Sequence, residues 1–406
     1  MIKILKHEGS TQSNFSSIGL VPLVALALTI GIIIVFNVSK RLFYLNQYSY
    51  LADAFLHGRL YFDRAVFDNA VYNGRHYWPL GVFPTFLLIP LVAVFGVSAP
   101  AWVLQSTLVV LCAILMIRIA LKEGYSSMDA KYWALALIGG SMFFGQSAFP
   151  SSYYFAQIIA VTTLLIAIYE SLAKKRWWII GCCIAVLLMT RPIAAGAFIF
   201  FAWYSQSDAN QKFSFQPRAL TQLLVPISLA VIALLWYNFA RFGSAFEQGY
   251  NFQTLAGQAK KGASYGLFSP VHIPGNLYYM LIAPPAIILR DEISKVLAFP
   301  YFKYDFTGTG MLITSPWLIY LWFVRYKERF QKVLIGTIFV MVFPIICYYG
   351  IGTIQLGYRY ALDFFPLIVL LLMRGWKQTE TDLSLRFRLL ILFSVFINIY
   401  LLFGLA

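Results

Sequence analysis

Long apolar runs separated by short polar stretches dominate this chain. Residues 19–37, 102–120 and 389–405 each continue far enough for a helix to cross about 30 Å of hydrocarbon. The first follows a polar lead and has no small-residue cleavage pattern after it, so it reads as a crossing and not as a secretory leader. The run at 82–95 is different: as a helix it reaches only about 21 Å. It also carries Pro84 and Pro90, so it is predicted to lie at the interface. Residues 177–204 are long enough for one tilted crossing, but Arg191-Pro192 interrupts them. Two half-length helices are predicted, in to Met189 and back from Ile193. Their apex must be covered by protein or water, because lipid cannot satisfy bare backbone.

The polar stretches carry the topology. Basic residues bunch at Lys122 and Lys131, at Lys174, Lys175 and Arg176, and at Lys212 and Arg218; further groups run from Arg325 to Lys332 and from Arg374 to Arg388. With Lys3 and Lys6 placed in the cytoplasm, alternate crossings bring all of these groups to the same side, as the positive-inside rule requires. The expected architecture is an all-α, polytopic transmembrane bundle of about 9–11 spans, counted as about nine full crossings plus the broken pair. Residues 1–406 read as a single membrane domain, with 39–100 as a first outer loop holding interfacial helices and 238–310 as a second long outer loop. No internal repeat or separate soluble domain is visible.

Composition agrees with this threading. The chain is 60% hydrophobic and 12% charged, whereas a soluble domain carries about 25% charged residues. Cys112, Cys182, Cys183 and Cys347 lie in apolar runs without CxxC spacing, so they read as small hydrophobes and not as a disulfide or metal framework. A net charge of +15 in such a chain reflects orientation and contacts with anionic lipid or phosphate; no nucleic-acid partner is expected.

The outer segments hold the candidate chemistry. Residues 40–84 pack Asp53, Asp63 and Asp68 among aromatics, arginines, His57 and His76. Residues 50–60 have helical spacing with Gly58 as a cap, which puts Asp53 and His57 on one face. A turn follows at Asn73-Gly74, leading to His76, Tyr77, Trp78 and Pro79. The second loop brings Arg241, Tyr250 and the Lys260-Lys261 pair, and residues 350–364 bring Arg359 and Asp363. Structural roles account for several of these. Tyr44, Tyr48, Tyr50, Tyr77 and Trp78 suit interfacial anchors, Asp63 suits a local pair with Arg64, and Arg359 and Asp363 suit an ion pair within one helix. The two histidines suit hydrogen-bonded structural groups, since no HxxxH or HExxH occurs. The functional case is convergence. Asp53, Asp68, Arg191, Arg241, Arg359 and Asp363 all collect on one side, at or just within the membrane, where ionisable residues are costly. A guanidinium fork suits lipid phosphate, and a carboxylate can accept the proton of a sugar hydroxyl.

In this order, several stretches resemble the GT-C superfamily of polyprenol-phosphate-sugar-dependent glycosyltransferases, and more closely the bacterial glycosyltransferase 39 and aminoarabinose transferase-like group. They are YLADAFLHGRL at 50–60, DNAVYNGRHYWPLGVFP at 68–84, Thr190-Arg191-Pro192, YNFARFGSAFEQGY at 237–250 and LGYRYALDFFP at 356–366. The resemblance implies transfer of a sugar from a polyprenyl-phosphate donor to a glycan, lipid or protein acceptor at the outer face of the plasma (inner) membrane, with membrane lipids as the other partners. It implies a catalytic base at Asp68 or, second, Asp53. Lipid phosphate falls to Arg191, Arg359 and Arg241, and sugar or acceptor contacts to His76, Tyr77, Trp78, Tyr250 and Asp363. Two departures bear on the base. The Asp-Glu that usually opens the first outer helix is replaced near Asn46-Gln47, and Trp78-Pro79-Leu80-Gly81 stands where many relatives have Lys-Pro-Pro or Lys-Ala-Pro-Gly. No cofactor is required, and no Asp-x-Asp pair in an outer loop supports a divalent metal. A flippase of lipid-linked saccharide and a non-catalytic relative are the competing readings.

Overall fold

The structure, a computed structural model, describes residues 20–39, 46–208, 210–254, 257–352 and 355–405, with the side chains of 257–259 left aside. The expectations for Lys3, Lys6 and Tyr44 fall outside these residues. The chain is a multi-pass membrane protein, largely helical, and six of its described helices are long and apolar enough to cross a bilayer. In chain order the helices are α1 (Val21–Ser39), α2 (Gln47–Leu56), α3 (Phe83–Phe95), α4 (Ala101–Lys122), α5 (Ser127–Ile138), α6 (Ser152–Leu172) and α7 (Trp177–Thr190). They continue with α8 (Phe198–Ser205), α9 (Pro217–Phe242), α10 (Ile273–Leu281), α11 (Arg329–Cys347), α12 (Phe365–Lys377) and α13 (Leu385–Phe403).

Burial sorts these helices by neighbour. α6 is buried along 83% of its most apolar window and forms the axis of the bundle, packed by α4 and α7. α9 is the opposite case, with 17% of its window buried. Val225, Leu229, Ile232, Trp236 and Phe239 make an exposed stripe at helical spacing, which is the face lipid covers.

Six of the nine full crossings expected are single long helices. At 127–147, 311–322 and 365–377 the chain instead runs between the two ends of the bundle in short helical pieces. Gly139-Gly140 ends α5, and a Cβ on Gly139 would meet Thr29 Cγ2 at 2.9 Å, so only glycine permits this approach to α1. The carbonyls freed by such breaks are collected inside the protein. Asn398 Nδ2 donates to Gly139 O (3.0 Å) and Thr314 O (2.7 Å), and Trp317 Nε1 donates to Gly140 O (2.6 Å). Broken backbone at membrane depth is tolerated only with such cover.

The basic loops meet at one end of the bundle. Arg374 pairs with Glu123 (3.0 Å) and Glu328 (3.7 Å), and Arg388 with Asp129 (3.0 Å). Gln211 Oε1 accepts from Phe330 N (2.7 Å), and Arg374 lies 3.7 Å from the centre of the Phe330 ring. The 177–205 stretch breaks as expected, because Arg191 leaves the helical conformation at φ −144° and ψ 93°. The chain then returns: Trp177 and Tyr204 are in edge contact at 6.1 Å, and Lys175 lies 4.7 Å from the Tyr204 ring. Arg191 is therefore the apex of a helical hairpin whose feet stand among the basic loops. From those feet α7 climbs about 21 Å, roughly two-thirds of the hydrocarbon thickness.

The opposite end carries the irregular segments. α2 opens on Asn46, whose side chain caps Tyr48 N (3.1 Å), and it closes at Gly58, which adopts φ +68°. The turn at Asn73-Gly74 joins β1 (Ala70–Tyr72) to β2 (Arg75–Tyr77) as an antiparallel hairpin. Asn73 and Gly74 both have positive φ, 48° and 71°, as a two-residue hairpin turn demands. α3, at 13 residues, is too short to span, as expected of 82–95. A second hairpin, β3 (Ala286–Asp291) with β4 (Val296–Lys303), stands in the second loop, where only helical and irregular structure was expected. Its strands are short unbroken apolar runs without alternation, which periodicity cannot distinguish from packing segments.

Candidate active site

The first turn of α6 anchors the site. Ser152 Oγ accepts from Gln47 N (2.6 Å) and donates to Asn46 Oδ1 (3.2 Å), tying the start of α2 to the start of α6. The next residue, Tyr153, donates its hydroxyl to the Asp68 carboxylate. Asp68 sits in the turn before β1 at φ +62°, a left-handed conformation that aspartate tolerates better than most side chains. Its carbonyl accepts from Gln253 (3.4 Å), and the neighbouring Phe67 carbonyl accepts from Gln47 (3.3 Å). The candidate carboxylate is thus held by the second loop, by α2 and by α6.

The Tyr153 ring faces a buried cation. The Arg359 guanidinium carbon lies 4.9 Å from the Tyr153 centroid and 5.2 Å from that of Tyr360. Its backbone is fixed on both sides: Arg359 N donates to Gln355 Oε1 (3.1 Å), and Arg359 O accepts from Gln157 Nε2 (2.9 Å). Arg359 itself is 8% exposed, and its Nε has no hydrogen-bond partner among the described residues. No carboxylate among them pairs with it within 4.0 Å. Arg191 is placed differently. It forms a two-pronged pair with the buried Asp363 (Nη2 to Oδ2, 2.8 Å), and its guanidinium lies 5.6 Å from the same Tyr360 ring.

Helix geometry explains why the arginines differ. An ion pair within one α-helix was expected between Arg359 and Asp363, but residues 359–363 form a 3-10 helix. At three residues per turn, side chains four apart diverge by about 120°. Asp363 therefore turns to Arg191, 172 positions away in the chain. Two positive and two negative groups share the site, yet among the described residues only Arg191 is neutralised by direct contact with a carboxylate.

The structure separates the other expected site residues from this cluster. Arg241, assigned to lipid phosphate, spends both terminal nitrogens within the protein, on Trp78 O (2.8 Å) and Asn238 Oδ1 (2.8 Å), and stacks on Tyr237 at 3.9 Å. It clamps the 78–81 strap to the end of α9. Trp78 and Tyr77 are buried at 1% and 5% exposure, too enclosed to touch a sugar. Trp78 packs against Tyr48 and Tyr153, forming the wall behind the site, while Tyr77 packs on Phe242. Asp363 is 1% exposed and committed to Arg191, so it too is withdrawn from any sugar. His76 is half-buried and contacts Asn69. Asp53 pairs with Arg59 (3.6 Å) and His57 (3.6 Å) at the surface of α2, and no described ion pair or hydrogen bond joins it to Arg359. Tyr250 stays partly exposed and within electrostatic reach of Arg191 and Tyr360.

Sequence reasoning missed Tyr153, Tyr360, Gln157 and Gln355. Gln157 left a usable signal, since an amide inside a run otherwise fit to span must find an internal partner. Gly81 also has a role that only contact reveals. A Cβ there would meet Thr190 O at 2.4 Å, so the strap after Trp78 lies directly on the end of α7 beside Arg191. Among the described residues, no group of three or more His, Cys, Asp or Glu is placed to hold a metal ion.

Three solved structures are similar to this chain, all of oligosaccharyltransferase from Archaeoglobus fulgidus. The archaeal oligosaccharyltransferase AglB in complex with an inhibitory peptide and a dolichol-phosphate shares 13% identity over 94% of this chain and 54% of that one, with a TM-score of 0.39. The apo form shares 15% identity over 94% and 55%, with a TM-score of 0.40, and a form tethered to an acceptor peptide shares 14% over 94% and 54%, also at 0.40. The chain thus spans about half the length of these proteins. No protein-family model matches the chain, and no curated protein matches it.

Proposed function

We propose that this chain is a membrane glycosyltransferase that moves a sugar from a polyprenyl-phosphate carrier to a glycan, lipid or protein acceptor, using Asp68 as base and Arg359 as the principal phosphate ligand. The observation that carries this reading is Arg359, a buried guanidinium without a carboxylate partner among the described residues. Burying an unpaired charge costs several kcal/mol, about 3–5 in measured cases. Its rings and backbone dipoles offset part of that, and a phosphodiester oxygen at headgroup depth supplies the rest.

In this mechanism the acceptor hydroxyl gives its proton to the Asp68 carboxylate while its oxygen bonds to the anomeric carbon. The bond from that carbon to the phosphate oxygen breaks, and the electron pair leaves with the polyprenyl phosphate. The negative charge gained by the phosphate is met by Arg359, with Arg191 as a second, partly neutralised donor. Tyr153 contacts both ends of the reaction, holding the base by its hydroxyl and the cation by its ring face.

The test is transfer in detergent. Purified protein, a radiolabelled polyprenyl-phosphate sugar and candidate acceptors should give labelled acceptor without any sealed vesicle. Asp68→Asn should abolish transfer with insertion intact. If label moves only across liposomes and never to an acceptor, the chain is a transporter of lipid-linked saccharide. If the Asn variant keeps full activity, Asp68 is not the base.

A further inference from the structure

The β3–β4 hairpin has no polar face. Residues 286–289 read Ala-Ile-Ile-Leu and 296–302 read Val-Leu-Ala-Phe-Pro-Tyr-Phe; charged residues fall only at the tip, 290–295, and at Lys303, where β4 ends beside α13. An antiparallel pair resting in water alternates apolar and polar side chains, and this one does not. Its apolar groups are exposed along both strands: Ile287, Val296 and Leu297 are each more than two-fifths exposed, and Phe299 is 80% exposed.

The hairpin is fixed to the site end of α13. Tyr400 donates its hydroxyl to Pro300 O, and Tyr304 donates to Asn398 Oδ1 (2.6 Å). A Cβ on Gly404 would meet Phe302 O at 2.4 Å, so the backbones touch. The outward stripe of α13 is Leu389, Phe393, Phe396 and Phe403, at helical spacing and each more than half exposed. That stripe runs along a crossing, so acyl chains cover it, and the hairpin continues the same surface beyond the helix end.

One physical limit sets the depth. A two-stranded sheet leaves a row of unpaired N–H and C=O groups along each outer edge. Hydrocarbon cannot satisfy those groups, but the hydrated headgroup layer can. We infer that the β3–β4 hairpin is a membrane-interface element. Its apolar body, with Phe299, lies against the headgroup–acyl boundary of the leaflet at the site end, and its tip, with Arg290, Asp291 and Lys295, emerges into water. This inference does not depend on the transferase reading.

Cys182 is the exposed native cysteine among those described, so Cys182→Ser removes the competing label site. In that background Phe299→Cys and Ser294→Cys are each labelled with an environment-sensitive fluorophore in nanodiscs of phosphatidylethanolamine and phosphatidylglycerol. The label at 299 should emit at shorter wavelength than the label at 294. Headgroup spin labels should quench it more than chain-end spin labels, at a depth of about 5–10 Å. Leu297→Cys gives the same reading if Phe299→Cys does not fold. Equal aqueous emission at 299 and 294 overturns the inference. So does a shielded label at 299 that no lipid-borne quencher reaches and that crosslinks to a second copy, since protein then covers the hairpin.

Discussion

Removing a single oxygen at Tyr153 separates its two contacts. Tyr153→Phe keeps the ring under Arg359, at 4.9 Å, and deletes the hydroxyl that donates to Asp68. A hydrogen bond to a charged group contributes about 1.5–3 kcal/mol. Asp68 is partly exposed, so the lower end applies. In the proposed mechanism that bond aims the carboxylate at the acceptor hydroxyl, and about 1.4 kcal/mol corresponds to a tenfold change in rate. kcat should therefore fall about tenfold in the variant. KM for the lipid donor should change little, because the cation keeps its ring. The other groups around Asp68 are Gln253, Tyr349 and, across the Tyr153 ring, Arg359, and none of these changes. The assay is steady-state transfer of radiolabelled sugar in detergent, with kcat and donor KM measured for Tyr153→Phe and with Tyr153→Leu alongside to remove the ring and raise the donor KM. An unchanged kcat in Tyr153→Phe, or a fall in kcat matched by a lower unfolding temperature, refutes the reasoning, because the hydroxyl then does not hold the base or only supports the fold.

Three further outcomes follow from the same contacts. Arg359→Lys keeps the charge but loses the planar stack between Tyr153 and Tyr360, and donor KM should rise about tenfold or more; an unchanged KM removes Arg359 from the phosphate site. Asp363→Asn strands the buried Arg191 and should destabilise the protein by about 3–5 kcal/mol, read as a lower unfolding temperature in detergent. Adding Arg191→Met should restore part of that loss, and simple additivity of the two costs contradicts the pairing. Gly81→Ala drives a methyl group into Thr190 O, built at 2.4 Å, and should cost about 1–3 kcal/mol while lowering activity through Arg191; wild-type stability refutes that contact.

Much of the architecture was legible because hydrocarbon imposes simple rules. A crossing was expected over 102–120 and α4 runs Ala101–Lys122, since neither proline nor glycine interrupts an apolar run of that length. The break at Arg191-Pro192 was equally readable, because proline removes a donor and arginine is costly in lipid. The basic loops meet at one end, as their grouping required. That the pieces at 127–147 and 311–322 are broken was not legible, because Gly139-Gly140 and Thr314-Ser315-Pro316 act through contacts, and their freed carbonyls are served by Asn398 and Trp317. The β3–β4 hairpin escaped because unbroken apolar runs carry no period.

The amino-acid order by itself determined that this chain spans a membrane many times, where its helices run longest, and that Asp68, Arg191, Arg359 and Asp363 lie away from the basic loops. Which arginine is left with a free charge was decided only by the tertiary structure. Ion pairing acts over about 4 Å, and whether two side chains come that close depends on segments far apart in sequence. A 3-10 turn at 359–363 sends Asp363 to Arg191 and leaves Arg359 between two tyrosine rings. No local pattern encodes that choice.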